Sequence, residues 1–113
     1  MQLLTELTDD YKQKYSITNE DNVTFDFLLE YSAIQEMWLF SISYDDNFTL
    51  NNHRLVYSPN ILRQYKNIIP FGLSVNSIDK SDPYFLNDFT TSRIEVYVLT
   101  EEEVEKIESD IFS

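Results

Sequence analysis

The sequence predicts a mainly β fold, either a small antiparallel β-barrel or a β-sandwich. Apolar and polar residues alternate in several short segments, which is the pattern of half-buried strands. Turn-forming residues separate these segments at intervals of about ten residues, as in barrels and sandwiches. With 113 residues, 42% of them hydrophobic, the chain can form one core and is too apolar for a disordered chain. We therefore expect a single β-domain over 1–113, of which 101–113 form an acidic helical tail.

The first two predicted strands form a hairpin. Residues alternate over 23–31, where Phe25 and Phe27 share one face. Alternation resumes over 37–44, with Trp38 on the apolar face. The segment 32–36 between these strands is short enough for a hairpin loop.

Two adjacent asparagines predict a second hairpin. A turn at 45–47 comes first, since Asp and Asn tolerate turn geometry. Asn51 and Asn52 then separate two apolar runs, and asparagine is the non-glycine residue best suited to a positive φ. We expect a tight turn at this pair and a strand over 53–57.

One short helix is predicted within the β pattern, over 59–66. Ser58 can cap this helix, and Pro59 suits its first position. Leu62 and Tyr65 are three residues apart, so they form a small apolar stripe on one helical face.

The C-terminal part contains the last strands and the tail. A strand resumes over 71–75, a polar loop covers 77–88, and residues alternate again over 93–99. Thr100 and Glu103 fit a capping box, which predicts a helix start. The tail holds six acids and one lysine, so we expect it to pack weakly or to become ordered against a partner. Its narrow apolar stripe consists of Val104, Ile107 and Ile111.

The apolar member of each pattern is expected in the core. Trp38 is the only tryptophan and the largest of these side chains. The predicted core consists of Phe25, Phe27, Trp38, Phe40, Ile42, Leu55, Leu62, Ile94, Val96 and Val98.

The charge balance excludes some partners. Twenty acidic residues against eight basic ones give a net charge of −12. Nucleic acids and anionic membranes bind Lys- and Arg-rich surfaces, so neither is an expected partner. No apolar stretch is long enough to span a membrane, and the first residues lack the pattern of a signal peptide. The acidity is consistent either with simple solubility or with a basic protein partner.

The composition offers little material for catalysis. The chain has no Cys, one His (His53) and one Gly (Gly72), so a zinc site, a catalytic triad or a phosphate loop has too few of its usual residues. The acidic pairs, of which Asp79 and Asp82 form one, are expected to be solvated turn carboxylates. We therefore predict no enzyme activity and no catalytic, cofactor-binding or metal-binding residues. A small hydrolase that uses two carboxylates stays open as an alternative.

An ordered series of segments between Phe25 and Thr100, about two-thirds of the chain, carries a family resemblance. The segments are Trp38-Leu39-Phe40-Ser41-Ile42, Arg54-Leu55-Val56, Asn60-Ile61-Leu62, Ile69-Pro70-Phe71-Gly72-Leu73, Asp82-Pro83, Asp88-Phe89 and Arg93-Ile94-Glu95-Val96-Tyr97-Val98-Leu99-Thr100. In this order they resemble the plug proteins of contractile-phage baseplates, a family typified by a cyanophage tail plug. That family tends to have glycine where this chain has Asn51-Asn52, and the acidic tail has no counterpart in it.

The resemblance implies a structural virion component with no cofactor. Such a plug lies at the central hub of a tail or tail-like particle, where it joins hub and spike to the tube initiator. It implies several copies in the tail baseplate, assembled in the host cytoplasm, with hub, spike and tube-initiator proteins as partners. An acidic adaptor or inhibitor that binds a basic protein is the alternative from another functional class.

Overall fold

The computed structural model describes residues 1–112, with side chains as far as Asp110. It confirms the mainly β prediction and decides between its two forms, because two antiparallel sheets pack face to face as a sandwich and do not close into a barrel. The larger sheet has the order β2-β3-β4-β5 and the smaller sheet the order β1-β7-β6. The strands are β1 (Gln2–Leu3), β2 (Lys12–Thr18), β3 (Thr24–Ser32), β4 (Met37–Tyr44), β5 (Phe48–Arg54), β6 (Phe71–Ser77) and β7 (Ile94–Thr100).

The core lies between the two sheets. The rings of Phe25 on β3 and Phe71 on β6 stack across it with their centroids 4.1 Å apart. All ten residues predicted for the core are buried, and Phe27, Trp38, Leu55, Leu62 and Val96 have no exposed surface. The alternating pattern therefore identified the inner faces of β3, β4 and β7 correctly.

The prediction of a tight turn at Asn51-Asn52 was wrong, although the positive φ that it required is present. Asn52 has φ 54° but lies inside the continuous strand β5. The β4–β5 register shifts here, so that Ser41 lies opposite both asparagines in a β-bulge. The Asn52 N–H donates to the Ser41 hydroxyl at 3.0 Å. The strand predicted over 53–57 is correspondingly displaced to β5, which ends at Arg54.

The helix predicted over 59–66 is reduced to a single 3-10 turn, Arg63–Tyr65. Ser58 forms a β-bridge with Val75, and the Ile61 N–H donates to the Leu73 carbonyl at 2.8 Å. The backbone before the turn thus bonds to β6 and is not available for an α-helix. The buried Asn60 side chain strengthens this link, since its Oδ1 accepts from the N–H groups of Leu62 and Leu73.

The C-terminal helix α1 (Glu101–Phe112) begins where predicted. The Glu103 N–H donates to the Thr100 hydroxyl, and the Thr100 N–H donates to the Glu103 carboxylate, which is the expected capping box. Val104 is buried and packs over Gly72 on the outer face of β6. Ile107 is half-buried, whereas the side chain of Ile111 lies outside the described residues.

Candidate interaction surfaces

The strand connections divide the sandwich into two unlike ends. The β3–β4 turn and the loop 78–93 meet at one end, where the Trp38 indole N–H donates to the Phe85 carbonyl at 3.0 Å. The 3-10 turn and α1 lie at the opposite end, near the β4–β5 turn. We call the first the aromatic end and the second the acidic end.

The aromatic end presents large apolar side chains to solvent. Ile34 at the tip of the β3–β4 turn is 98% exposed, Tyr11 is 57% exposed and Phe85 is 51% exposed. The rings of Tyr11 and Tyr31 meet edge to face at 5.8 Å, and the Tyr31 hydroxyl donates to the Tyr84 carbonyl at 2.7 Å. Tyr84 and Phe85 have ring centroids 4.3 Å apart. Exposed aromatic groups of this kind are enriched at protein–protein interfaces.

A partly buried ion pair fixes the loop that carries Tyr84 and Phe85. Arg93 donates from Nε and Nη2 to the two carboxylate oxygens of the buried Asp88, at 2.7 and 2.8 Å. Asp88 Oδ2 also accepts from the backbone N–H groups of Tyr84 and Phe85, both at 2.8 Å. The Asp88 hydrogen bonds raise the pKa of Arg93, so the guanidinium stays charged. Its guanidinium also lies 4.2 Å from the centre of the Tyr84 ring, in a cation–π contact.

The structure also gives roles to the acidic pair expected to be solvated. Asp79 accepts hydrogen bonds from the hydroxyls of Ser81 and Ser77, and these bonds, with a smaller contribution from Arg93, hold its pKa well below the ordinary value. Asp82 accepts from the Tyr57 N–H at 2.8 Å and lies 3.8 Å from Arg54. Asp79 thus links the two ends of the loop, and Asp82 links the loop to Tyr57 and Arg54, while both side chains remain accessible to solvent in the way expected of solvated turn carboxylates.

The acidic end is dominated by α1. Its Glu108 carboxylate pairs with Arg63 at 2.7 Å and with Lys66 at 3.2 Å, both from the segment around the 3-10 turn. Burial is the largest single influence on Glu108 and raises its pKa, but the contacts with the two cations together outweigh burial and lower it. Glu103 pairs with the amino group of Met1. These ion pairs hold α1 to the sandwich through contacts that were not expected from its narrow apolar stripe.

The residues considered for chemistry do not converge. His53 is exposed on β5, and its ring lies 6.1 Å from that of Phe40. Over residues 1–112, no three metal-ligating side chains are grouped closely enough to hold an ion. Within the same range, no helix has the length and apolar character needed to cross a bilayer.

The fold and these surfaces are typical of a small β-sandwich domain that works through protein contacts. A family model described as the cyanophage baseplate Pam3 plug gp18 matches residues 1–102 of this chain. The chain therefore belongs to that family and is a structural component of the phage tail baseplate, located in the virion. No match was found among curated proteins. The family resemblance predicted from Phe25 to Thr100 is confirmed and extends to residue 1.

The sequence pattern predicted the acidic helix at one end of the sandwich but missed the aromatic end as a unit. Tyr11 and Phe85 are far apart in sequence, and the fold connects them through a series of contacts that passes by way of Tyr31 and Tyr84. The aromatic content of 15% was a usable signal for a surface of this kind, because the predicted core included only four of the seventeen aromatic residues.

Proposed function

We propose that the protein is the plug at the central hub of the tail baseplate, where several copies join hub and spike proteins to the tube initiator. Family membership supports the baseplate role. The observation that carries the joining role is the presence of two chemically different surfaces at opposite ends of one small sandwich. A protein that bridges two partners needs two separate contact areas, and the aromatic end and the acidic end supply them.

The aromatic end is the stronger candidate for a stable contact. Two of its exposed groups, Tyr11 and Phe85, are held by ring contacts and backbone hydrogen bonds, so little side-chain and loop entropy is lost when a partner covers them. The acidic end is better suited to orienting the chain during association, because exposed charges act mainly on the rate of encounter. We further infer that 1–113 behaves as one domain whose tail, 101–113, is separable from the sandwich.

The double variant Tyr11→Ala/Phe85→Ala tests the aromatic contact. Both side chains are more than half exposed, so the free energy of unfolding should change by less than about 1 kcal/mol. Incorporation into purified tail particles should fall strongly, as judged by quantitative mass spectrometry. The control is His53→Ala, which removes an exposed ring from β5 and should be incorporated normally.

Cross-linking of assembled baseplates tests the partners. Links from the loop 78–93 and from α1 should reach different proteins, among them hub, spike or tube-initiator subunits. Absence of the wild-type chain from purified baseplates would contradict the proposed function. Its presence with links only to distal tail components would contradict the central position.

A further inference from the structure

A groove lies beside α1 at the acidic end. The segment 66–70 forms one wall and the helix forms the other, enclosing about 490 Å³. Ile69, Pro70 and Val104 give the groove an apolar lining, and Ile68 on its wall is 66% exposed. An isoleucine exposed to this extent beside a concave surface provides apolar area that a bound chain could cover.

The charge along the groove is negative and only partly balanced. Glu101 and Glu105 both line it, are both exposed, and are one helical turn apart on the same side of α1. Glu108 also lines the groove, but Arg63 and Lys66 already neutralise it. The two exposed carboxylates therefore lie beside an apolar strip and leave their charge available to an incoming group.

We propose that this groove binds a segment of another baseplate protein in which a lysine or arginine adjoins an aliphatic or aromatic side chain. The apolar side chain covers Ile68 and Pro70, while the cation approaches Glu101 and Glu105. This inference rests on the proposed function, which supplies the partner as a baseplate protein. A second copy of this chain is disfavoured as the occupant because each copy carries a net charge of −12.

Two peptides that differ only in charge test the occupant. The probes are a heptapeptide of alternating lysine and leucine and its counterpart of alternating glutamate and leucine. NMR titration of the full chain should show saturable shifts at Ile68, Val104 and Glu105 with the lysine peptide only. Equal binding of both peptides, no saturable binding of the lysine peptide, or shifts centred elsewhere would overturn the proposal.

Matched double variants distinguish binding in the groove from attraction to the overall negative charge of the protein. Glu101→Gln/Glu105→Gln removes the two groove carboxylates, whereas Glu102→Gln/Asp110→Asn removes two exposed acids of the same helix that do not line the groove. The first pair should weaken binding of the lysine peptide roughly fivefold or more at low salt, and the second less than about twofold. Equal weakening by both pairs would show non-specific attraction and contradict the groove.

The apolar side of the site has its own control. Ile68→Ser should weaken binding of the lysine peptide, while Ile78→Ser, at an isoleucine that is 80% exposed in the loop 78–93, should not.

Incorporation into particles distinguishes a failure of the groove proposal from a failure of the proposed plug function. If wild-type chain and Glu101→Gln/Glu105→Gln are incorporated equally and the peptide shifts are absent, the groove is wrong and the plug function stands. If wild-type chain is absent from baseplates, the plug function fails whatever the peptides do.

Discussion

The two ends of the sandwich hold their charges in different ways. At the aromatic end, acids are paired within the fold: Asp88 is buried against Arg93, and Asp79 and Asp82 bond to the same loop and its neighbours. At the acidic end, Glu103 and Glu108 meet cations while Glu101 and Glu105 remain exposed. Pairing fixes a loop so that it can present rings, whereas unpaired surface charge creates a field that attracts a basic partner. Acidic residues thus stabilise a loop at the aromatic end and provide attractive surface charge at the acidic end.

The largest effect is expected beneath the aromatic end, at Trp38. This side chain is fully buried, and its indole N–H bonds to the Phe85 carbonyl. Trp38→Ala should lower the free energy of unfolding by about 3–5 kcal/mol, measured by denaturant titration. Trp38→Phe keeps a ring but loses the hydrogen bond, so it should cost less. A Trp38→Ala protein as stable as wild type would show that the aromatic end does not depend on this ring.

The Asp88–Arg93 pair should have the next largest effect. Asp88→Ala leaves Arg93, whose side chain is only 17% exposed, without its main partner and removes the acceptor for the Tyr84 and Phe85 N–H groups. Losing one member of such a pair should cost about 3 kcal/mol. NMR should show the greatest change in the loop 78–93 and little in α1. Equally large changes in the NMR signals of both ends would show that the two ends do not respond independently.

Gly72→Ala tests how closely the acidic end packs. A Cβ at this position would lie 2.8 Å from a Val104 methyl and 2.8 Å from Asn60 Oδ1, so both neighbours would have to move. The substitution should cost about 1–3 kcal/mol in thermal or denaturant unfolding. In Gly72→Ala/Val104→Ala the helix contact is relieved while the Asn60 contact persists, so the two costs should be less than additive. Additive costs would show that α1 does not pack against Gly72.

Acid should release α1 before it unfolds the sandwich. The pKa values of Glu103 and Glu108 lie below the ordinary 4.5, although burial, the largest single influence on each, acts to raise them. A carboxyl whose pKa is lower in the folded state than in the unfolded state stabilises the folded state at pH values above its unfolded pKa. This stabilisation is lost as the pH falls through the folded pKa. We expect residues 104–110 to lose amide-exchange protection below about pH 4.5 while β7 keeps it.

The same exchange experiment at neutral pH addresses the separable tail. The net charge of the helix opposes its compact packing, whereas β7 is paired on both sides by β1 and β6. Residues 104–110 should therefore exchange faster than 94–99, and deletion of 101–113 should leave the sandwich folded. Equal protection of the two segments would make α1 an integral part of the fold.

Sequence patterns correctly predicted the elements in which the local residue pattern matches the position of the element in the fold. The apolar side chains of β3, β4 and β7 face the core, and the Thr100–Glu103 capping box forms as predicted. β2 was missed because its inward positions include the polar Gln13, whose side chain bonds to the Thr8 and Asp10 carbonyls. A polar residue at a buried position removes the alternation on which the prediction depends.

The sequence by itself determined the mainly β character of the fold, ten residues of the core, the start of the C-terminal helix and the family, since each depends on residues near one another in the chain or on an ordered series of segments. Tertiary structure alone decided that Asn52 forms a bulge, that 59–66 bonds to β6 and shortens to a 3-10 turn, and that Asp79 ties down a loop. It also brought Tyr11 beside Tyr31 and α1 beside 66–70. The physical reason is that backbone pairing and ion pairing join residues distant in sequence, and local patterns carry no record of those partners.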